Sequence, residues 1–200
     1  TIVDVEIAHH EGFIAGAKKF GLDVTIEEAI QRFPVFLGGG DLEVIKQILA
    51  SIGQDTEGNC QDFLAEKMKY YNARLETLSI KPRPGSLKVI SWLKKNGYKV
   101  AIASLTPVKQ AEVLFTRSGI DKVFGRNFIV LLEDVTKKKP DPEVYLTTAK
   151  KMGIDPREQL AFEDSKTGVT AARAAGSLVI GMPVYDMPHV WSGLREAGAI

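Results

Sequence analysis

Val100-Ala101-Ile102-Ala103-Ser104-Leu105-Thr106 is an apolar run ending in two hydroxyl residues, and what flanks it decides the fold. Ser86 to Asn96 precedes it with a helical pattern that Gly97 stops, and Lys109 to Arg117 follows it with another. The alternation then repeats. Phe128-Ile129-Val130-Leu131 is followed by a helix over Pro142 to Met152, Leu160-Ala161-Phe162 by a helix over Thr167 to Ala175, and Leu178-Val179-Ile180 closes the series. Short strands that are apolar throughout belong to a parallel sheet covered on both faces, so the pattern predicts a doubly wound α/β fold. Such sheets bind ligands at the carboxyl ends of their strands. Ser104 and Glu163-Asp164 directly follow strands and are therefore expected at one rim.

Upstream the texture is different. Residues 5 to about 80 read as helices only, the first carrying Ile7, Phe13, Ile14, Ala17 and Phe20 and stopped by Gly21. Thr25-Ile26-Glu27-Glu28 matches a capping box, Asp41 after Gly38-Gly39-Gly40 is expected to cap a third helix, and Glu57 to Glu76 reads as a fourth. Lys81-Pro82-Arg83-Pro84-Gly85 breaks the pattern. The predicted division is a helical domain over 5–80 and an α/β domain over 1–4 and 81–200.

Two hundred residues, 44% of them hydrophobic, are enough to bury a core. The 26 Lys plus Arg nearly balance the 25 Asp plus Glu, so the net charge of +1 supplies no field to gather nucleic acid or anionic lipid. The single cysteine, Cys60, has no partner for an internal disulfide and no Cys or His neighbours for a zinc site, which suits a reducing cytoplasmic setting. No apolar run approaches the roughly 18 residues that span a bilayer. The expected partner is a small molecule, with no prediction of oligomeric state.

Three short segments carry chemistry. The Ser104 hydroxyl and the backbone N–H groups of Leu105 and Thr106 can hold a phosphoryl oxygen at a helix start, although an N-cap would use the same residue type. In Lys139-Pro140-Asp141-Pro142, proline restricts the residue before it and gives Lys139 a direction that Lys137 and Lys138 lack. Glu163-Asp164 stands at a strand end before a small-residue helix. An acid in a helix's first turn gains only about 0.3–1 kcal/mol from the dipole, whereas a hard cation such as Mg²⁺ takes one or two carboxylates and completes its shell with water and phosphate oxygens. His9 and His10 lie within an amphipathic helix, where histidine commonly packs or faces solvent.

The order Thr1-Ile2-Val3-Asp4, helical insertion, Ala101-Ile102-Ala103-Ser104, Lys139-Pro140-Asp141-Pro142, then Phe162-Glu163-Asp164-Ser165 with Gly168 and Ala171-Ala172, resembles the haloacid dehalogenase superfamily. It is most similar to the phosphatase and β-phosphoglucomutase-like branch, with a Rossmann-like core and an inserted helical cap. The resemblance implies that Ser104 binds the transferring phosphoryl group, that Lys139 is the family's lysine, and that Glu163 and Asp164 hold Mg²⁺. His9 corresponds more loosely to a cap histidine that contacts substrate. Thr1-Ile2-Val3-Asp4 matches the tail of an Asp-x-Asp-Gly-Thr motif, so the family's nucleophile and general acid are expected ahead of Thr1. Glu196-Ala197-Gly198-Ala199-Ile200 reads as a turn into a further strand. Both ends read as clipped.

The implied function is a magnesium-dependent phosphatase acting through an aspartyl-phosphate on a small phosphorylated metabolite, a sugar phosphate being favoured. Phosphoglucomutase-like transfer would add basic contacts in the cap, for which Lys18, Lys19, Arg32 and Lys46 are available. A noncatalytic phosphometabolite-binding protein would need no nucleophile. A 2-haloacid dehalogenase needs no magnesium, and Glu163-Asp164 argues against it.

Overall fold

The computed structural model describes residues 1–200, the side chain of Arg126 apart. The chain forms two compact units, one comprising Thr1–Asp4 with Ile80–Ile200 and the other Val5–Ser79.

The helical unit contains α1 (Glu6–Lys19), α2 (Ile26–Arg32), α3 (Asp41–Ala50) and α4 (Glu57–Thr77). Helix α1 lies along α4, and two of its glycines set how closely. A methyl group at Gly16 would overlap the Phe63 ring, and one at Gly12 would lie 3.0 Å from the Lys67 carbonyl oxygen. Each helical glycine costs about 0.5–1 kcal/mol relative to alanine, less than the ~1.5–3 kcal/mol gained by burying a side chain as large as Phe63. Phe63 is fully buried. The predicted capping box is present: Thr25 accepts from the Glu28 N–H at 3.2 Å, and Glu28 accepts from the Thr25 N–H at 2.8 Å. Asp41 departs from expectation. Gly40 is the N-cap of α3 without a side-chain bond, while the Asp41 carboxylate is taken by Lys67 of α4.

The α/β unit contains α5 (Ser86–Lys95), β1 (Ile102–Ala103), α6 (Val108–Ser118), β2 (Ile129–Val130), α7 (Glu143–Met152), β3 (Leu160–Glu163), α8 (Lys166–Ala174), β4 (Leu178–Gly181) and α9 (Pro188–Glu196). All strand pairing between these elements is parallel. β1 pairs with β2 in the register Ile102 to Ile129, and β3 with β4 in the register Leu160 to Leu178. The expected sheet is thus present as two parallel pairs, with β1 shorter than the apolar run Val100–Ala103 that predicted it. Beside β4, Ile200 donates to the Val179 carbonyl and accepts from the Gly181 N–H.

Burial on β3 and β4 alternates. Ala161, Glu163, Val179 and Gly181 face a core built with Val144, Tyr145, Val169, Ala171, Ala172 and Leu194, from α7, α8 and α9. Leu160, Phe162 and Leu178 point the other way and are 40–49% exposed. The expectation that both strand faces are covered therefore holds for one face of this pair. Among the described residues, no helix is long and apolar enough to cross a membrane.

Candidate active site

Four of the predicted residues lie at strand ends or in the loops next to them. Ser104 follows β1, and its N–H donates to the Val130 carbonyl at 3.0 Å, which fixes it to the end of β2. Its hydroxyl accepts from the Thr106 N–H at 3.2 Å and shares a 2.9 Å hydrogen bond with the Thr106 hydroxyl. Ser104 is not the cap of α6. Pro107 holds that position, and the Glu133 carboxylate accepts from the Val108 N–H at 3.0 Å. The loop Ser104-Leu105-Thr106 is therefore free of a helix-capping duty.

Lys139 precedes Pro140 through a cis peptide bond. Its ammonium lies 2.6 Å from Glu163 Oε1, 3.4 Å from the Ala103 carbonyl oxygen and 3.5 Å from the Tyr145 hydroxyl, with the Tyr145 ring centroid at 5.2 Å. One lysine thus reaches the ends of both β1 and β3. Its side chain is 14% exposed, against 71% for Lys137, which pairs with Asp141 at 3.7 Å. Lys138 is exposed.

Glu163 ends β3 with its carboxylate buried. Oε1 takes Lys139 and the Tyr145 hydroxyl, while Oε2 accepts from the Asp164 N–H at 3.1 Å and lies 3.4 Å from the Ser165 hydroxyl. Both oxygens are engaged by protein donors. Burial and the negative charge of Glu163 push the Tyr145 phenol well above its ordinary range, so it remains a proton donor. Gly168 makes room for this arrangement, because a methyl group there would fall on the Glu163 carboxylate.

Asp164 is 15% exposed, and its Oδ2 accepts from the Thr1 hydroxyl at 3.0 Å. The cap of α8 is Ser165, which accepts from the Gly168 N–H at 3.1 Å, so neither acid is used for capping. Among the described residues no group of three or more His, Cys, Asp or Glu side chains is placed to enclose a metal. The chemistry of this donor set fits a Mg²⁺ ion that is carried largely by water and phosphate oxygens and meets few carboxylates.

The sequence pattern of the haloacid dehalogenase-like hydrolase family matches residues 1–182. The chain belongs to this family. Among curated proteins it is 28% identical to a phosphorylated carbohydrates phosphatase of Thermotoga maritima over 201 residues, covering 100% of this chain and 88% of that protein. Among solved structures, a conserved haloacid dehalogenase-like protein of unknown function from Agrobacterium tumefaciens superposes with a TM-score of 0.85 at 25% identity, over 99% of this chain and 86% of the other. CbbY of Rhodobacter sphaeroides in complex with xylulose-1,5-bisphosphate gives 0.72 at 25% identity, over 94% and 84%.

His9 belongs to the helical unit, in a cluster that sequence reading did not assemble. Its Nδ1 lies 2.9 Å from the Lys67 ammonium, which also donates to both Asp41 oxygens at 2.8 Å. The ring stacks on Tyr71 with centroids 4.0 Å apart. Burial first, then the charge of Lys67, push the imidazole down to about 3, so it is neutral at physiological pH. Of the basic residues set aside for a second phosphate, Lys19 pairs with Glu66 at 3.4 Å and Arg32 lies over the Phe33 ring. Sequence reading also passed over Tyr145, whose aromatic ring near the start of a helix signals only packing.

Proposed function

We propose that this haloacid dehalogenase-like hydrolase is a Mg²⁺-dependent phosphatase that acts on a small phosphorylated metabolite, a sugar phosphate in particular. The observation that carries the reading is the Lys139 ammonium, set between the Ala103 carbonyl and Glu163, so that one fixed charge serves the loop holding Ser104 and the strand end holding Asp164. The Thermotoga maritima and Rhodobacter sphaeroides relatives, named for a phosphorylated carbohydrate and bound to one, support the substrate class.

In this reading the Ser104 hydroxyl and the neighbouring N–H groups of Leu105 and Thr106 bind the phosphoryl oxygens, and Lys139 neutralises the charge that grows on them during transfer. Asp164 is the carboxylate that meets Mg²⁺. Glu163 acts on the ion through water, since its oxygens already hold Lys139, Tyr145 and the Asp164 N–H. The bound ion supplies charge screening and orients the phosphoryl oxygens. The attacking carboxylate is assigned by the family resemblance to an aspartate ahead of Thr1, so activity is measured on the full-length protein. A cytoplasmic setting is proposed with this function, and His9 is kept as a weaker substrate-contact candidate.

The test is phosphate release from a panel of phosphorylated sugars in excess Mg²⁺ and again in EDTA. Release in Mg²⁺ that stops in EDTA supports the reading; undiminished turnover in EDTA overturns the metal assignment. Phosphoglucomutase-like transfer is the second reading, favoured by the structural likeness to a putative β-phosphoglucomutase of Thermotoga maritima at 25% identity and a TM-score of 0.70. Isomerisation of β-glucose 1-phosphate without phosphate release would select it.

A further inference from the structure

Glu163 is held from four directions, and one donor has no place in the phosphatase reading above. Tyr145 is the third residue of α7 and only 5% exposed, with its ring in the core formed by α7, α8, α9 and β3. A tyrosine serving as core filler would gain nothing from its hydroxyl, because burying a phenol without a partner costs free energy. Here the hydroxyl ends on Glu163 Oε1, the same oxygen that takes the Lys139 ammonium. The phenolic oxygen then turns its lone pairs toward Lys139, 3.5 Å away.

We infer that Tyr145 is a positioning residue: by donating to Glu163 Oε1 it fixes the carboxylate and shares the oxygen that would otherwise belong to Lys139 alone, keeping the ammonium near the end of β1 beside Ser104. An ammonium has three donors. In this structure they meet Glu163, the Tyr145 hydroxyl and the Ala103 carbonyl, and the second and third contacts are long enough to give way to a phosphoryl oxygen. Without the hydroxyl, Lys139 and Glu163 form an undivided ion pair, and the ammonium is drawn toward β3 and away from Ala103. Gly168 supports the same device from below by leaving the carboxylate room against α8.

The inference rests on the proposed phosphatase only where turnover is used to report on Lys139. Its test is Tyr145→Phe in the full-length protein, which keeps the ring and removes one oxygen. The variant should stay folded, unfolding at a somewhat lower temperature, because the packing is retained while one buried hydrogen bond to a carboxylate is lost. In its crystal structure the Lys139 ammonium should have left the Ala103 carbonyl, and kcat should fall about 10–100-fold with KM unchanged, the usual scale for removing a supporting hydrogen bond behind a metal or charge site. Should Tyr145→Phe fail to fold, Tyr145→Met is the second variant, which removes the same hydroxyl with a flexible side chain that adapts to the core and should move Lys139 in the same way. Lys139 unmoved in the crystal, or kcat at the wild-type value in an active enzyme, overturns the inference. If the protein hydrolyses no phosphate ester at all, the phosphatase reading falls, and the crystal structure of the variant alone decides for or against Tyr145.

Discussion

Each unit contains a lysine set against a carboxylate and a tyrosine ring, and the two sets are built for different ends. Lys139 meets Glu163 and Tyr145, and Lys67 meets Asp41 and Tyr71. Lys139 sits on a loop, 14% exposed, with partners from two strand ends and a helix. Lys67 sits mid-helix with no exposed surface, its ammonium wrapped by His9, Asp41 and the rings of Phe13 and Tyr71. A charge at the rim can exchange a protein acceptor for a substrate oxygen. One sealed inside a helix bundle fixes the bundle, because taking it out of water is tolerable only with its partners in place.

The comparison breaks most visibly at Lys139. Lys139→Ala should lose about 2.7–4 kcal/mol of transition-state stabilisation, some hundred- to thousand-fold in kcat. Lys138→Ala should stay close to wild type, and a larger loss there in equally folded proteins would transfer the role to the wrong lysine. Lys67→Met should do the opposite, lowering stability by roughly 2–3 kcal/mol as the hydrogen bonds to a charged group disappear, with the cost moderated by solvent at Asp41. Urea unfolding checks this, and an unchanged midpoint would show that the buried charge has no structural worth.

Acid sharpens the contrast further. His9 titrates at about 3 in the folded chain against 6.5 ordinarily, so the unfolded chain binds the extra proton first and stability falls as pH drops below 6.5. The loss from this group should reach about 2 kcal/mol by about pH 5. His9→Gln should flatten that part of the stability–pH curve; an identical slope in the variant would place the proton elsewhere. The smallest effect belongs to the local device at the start of α2. Thr25→Ala removes the capping box and should cost about 1 kcal/mol by thermal unfolding, without touching either lysine.

How much of this the sequence disclosed follows from the range of the forces involved. The capping box at Thr25 and Glu28 and the helix stops at Gly21 and Gly97 are local, and each appears where its residues suggest. The apolar runs located the strands but not their partners: Val100–Ala103 reads as one strand, yet only Ile102 and Ala103 pair. The inward direction of Lys139 was legible because the proline after it limits its backbone, and the freedom of the two acids from capping because two in succession exceed what a cap needs. Lys67 and Tyr145 were not. Nothing within a few residues of either distinguishes a buried, bonded side chain from a surface lysine or a packing ring, since their partners lie 26 and 58 positions away for Lys67 and 18 for Tyr145. Asp41 shows the same limit in reverse: its local reading as a cap lost to a lysine on another helix.

Because Ser165, and not the acid before it, closes the start of α8, folding and chemistry at this corner are separable by mutation. Ser165→Ala would fray the helix and remove one long contact to Glu163 while leaving Asp164 untouched, whereas Asp164→Asn would leave the helix anchored and strip away one negative charge. An Asp164→Asn protein is therefore suited to trapping: it should hold a phosphorylated ligand in an undistorted scaffold, and what it retains from a metabolite mixture would report the natural substrate directly.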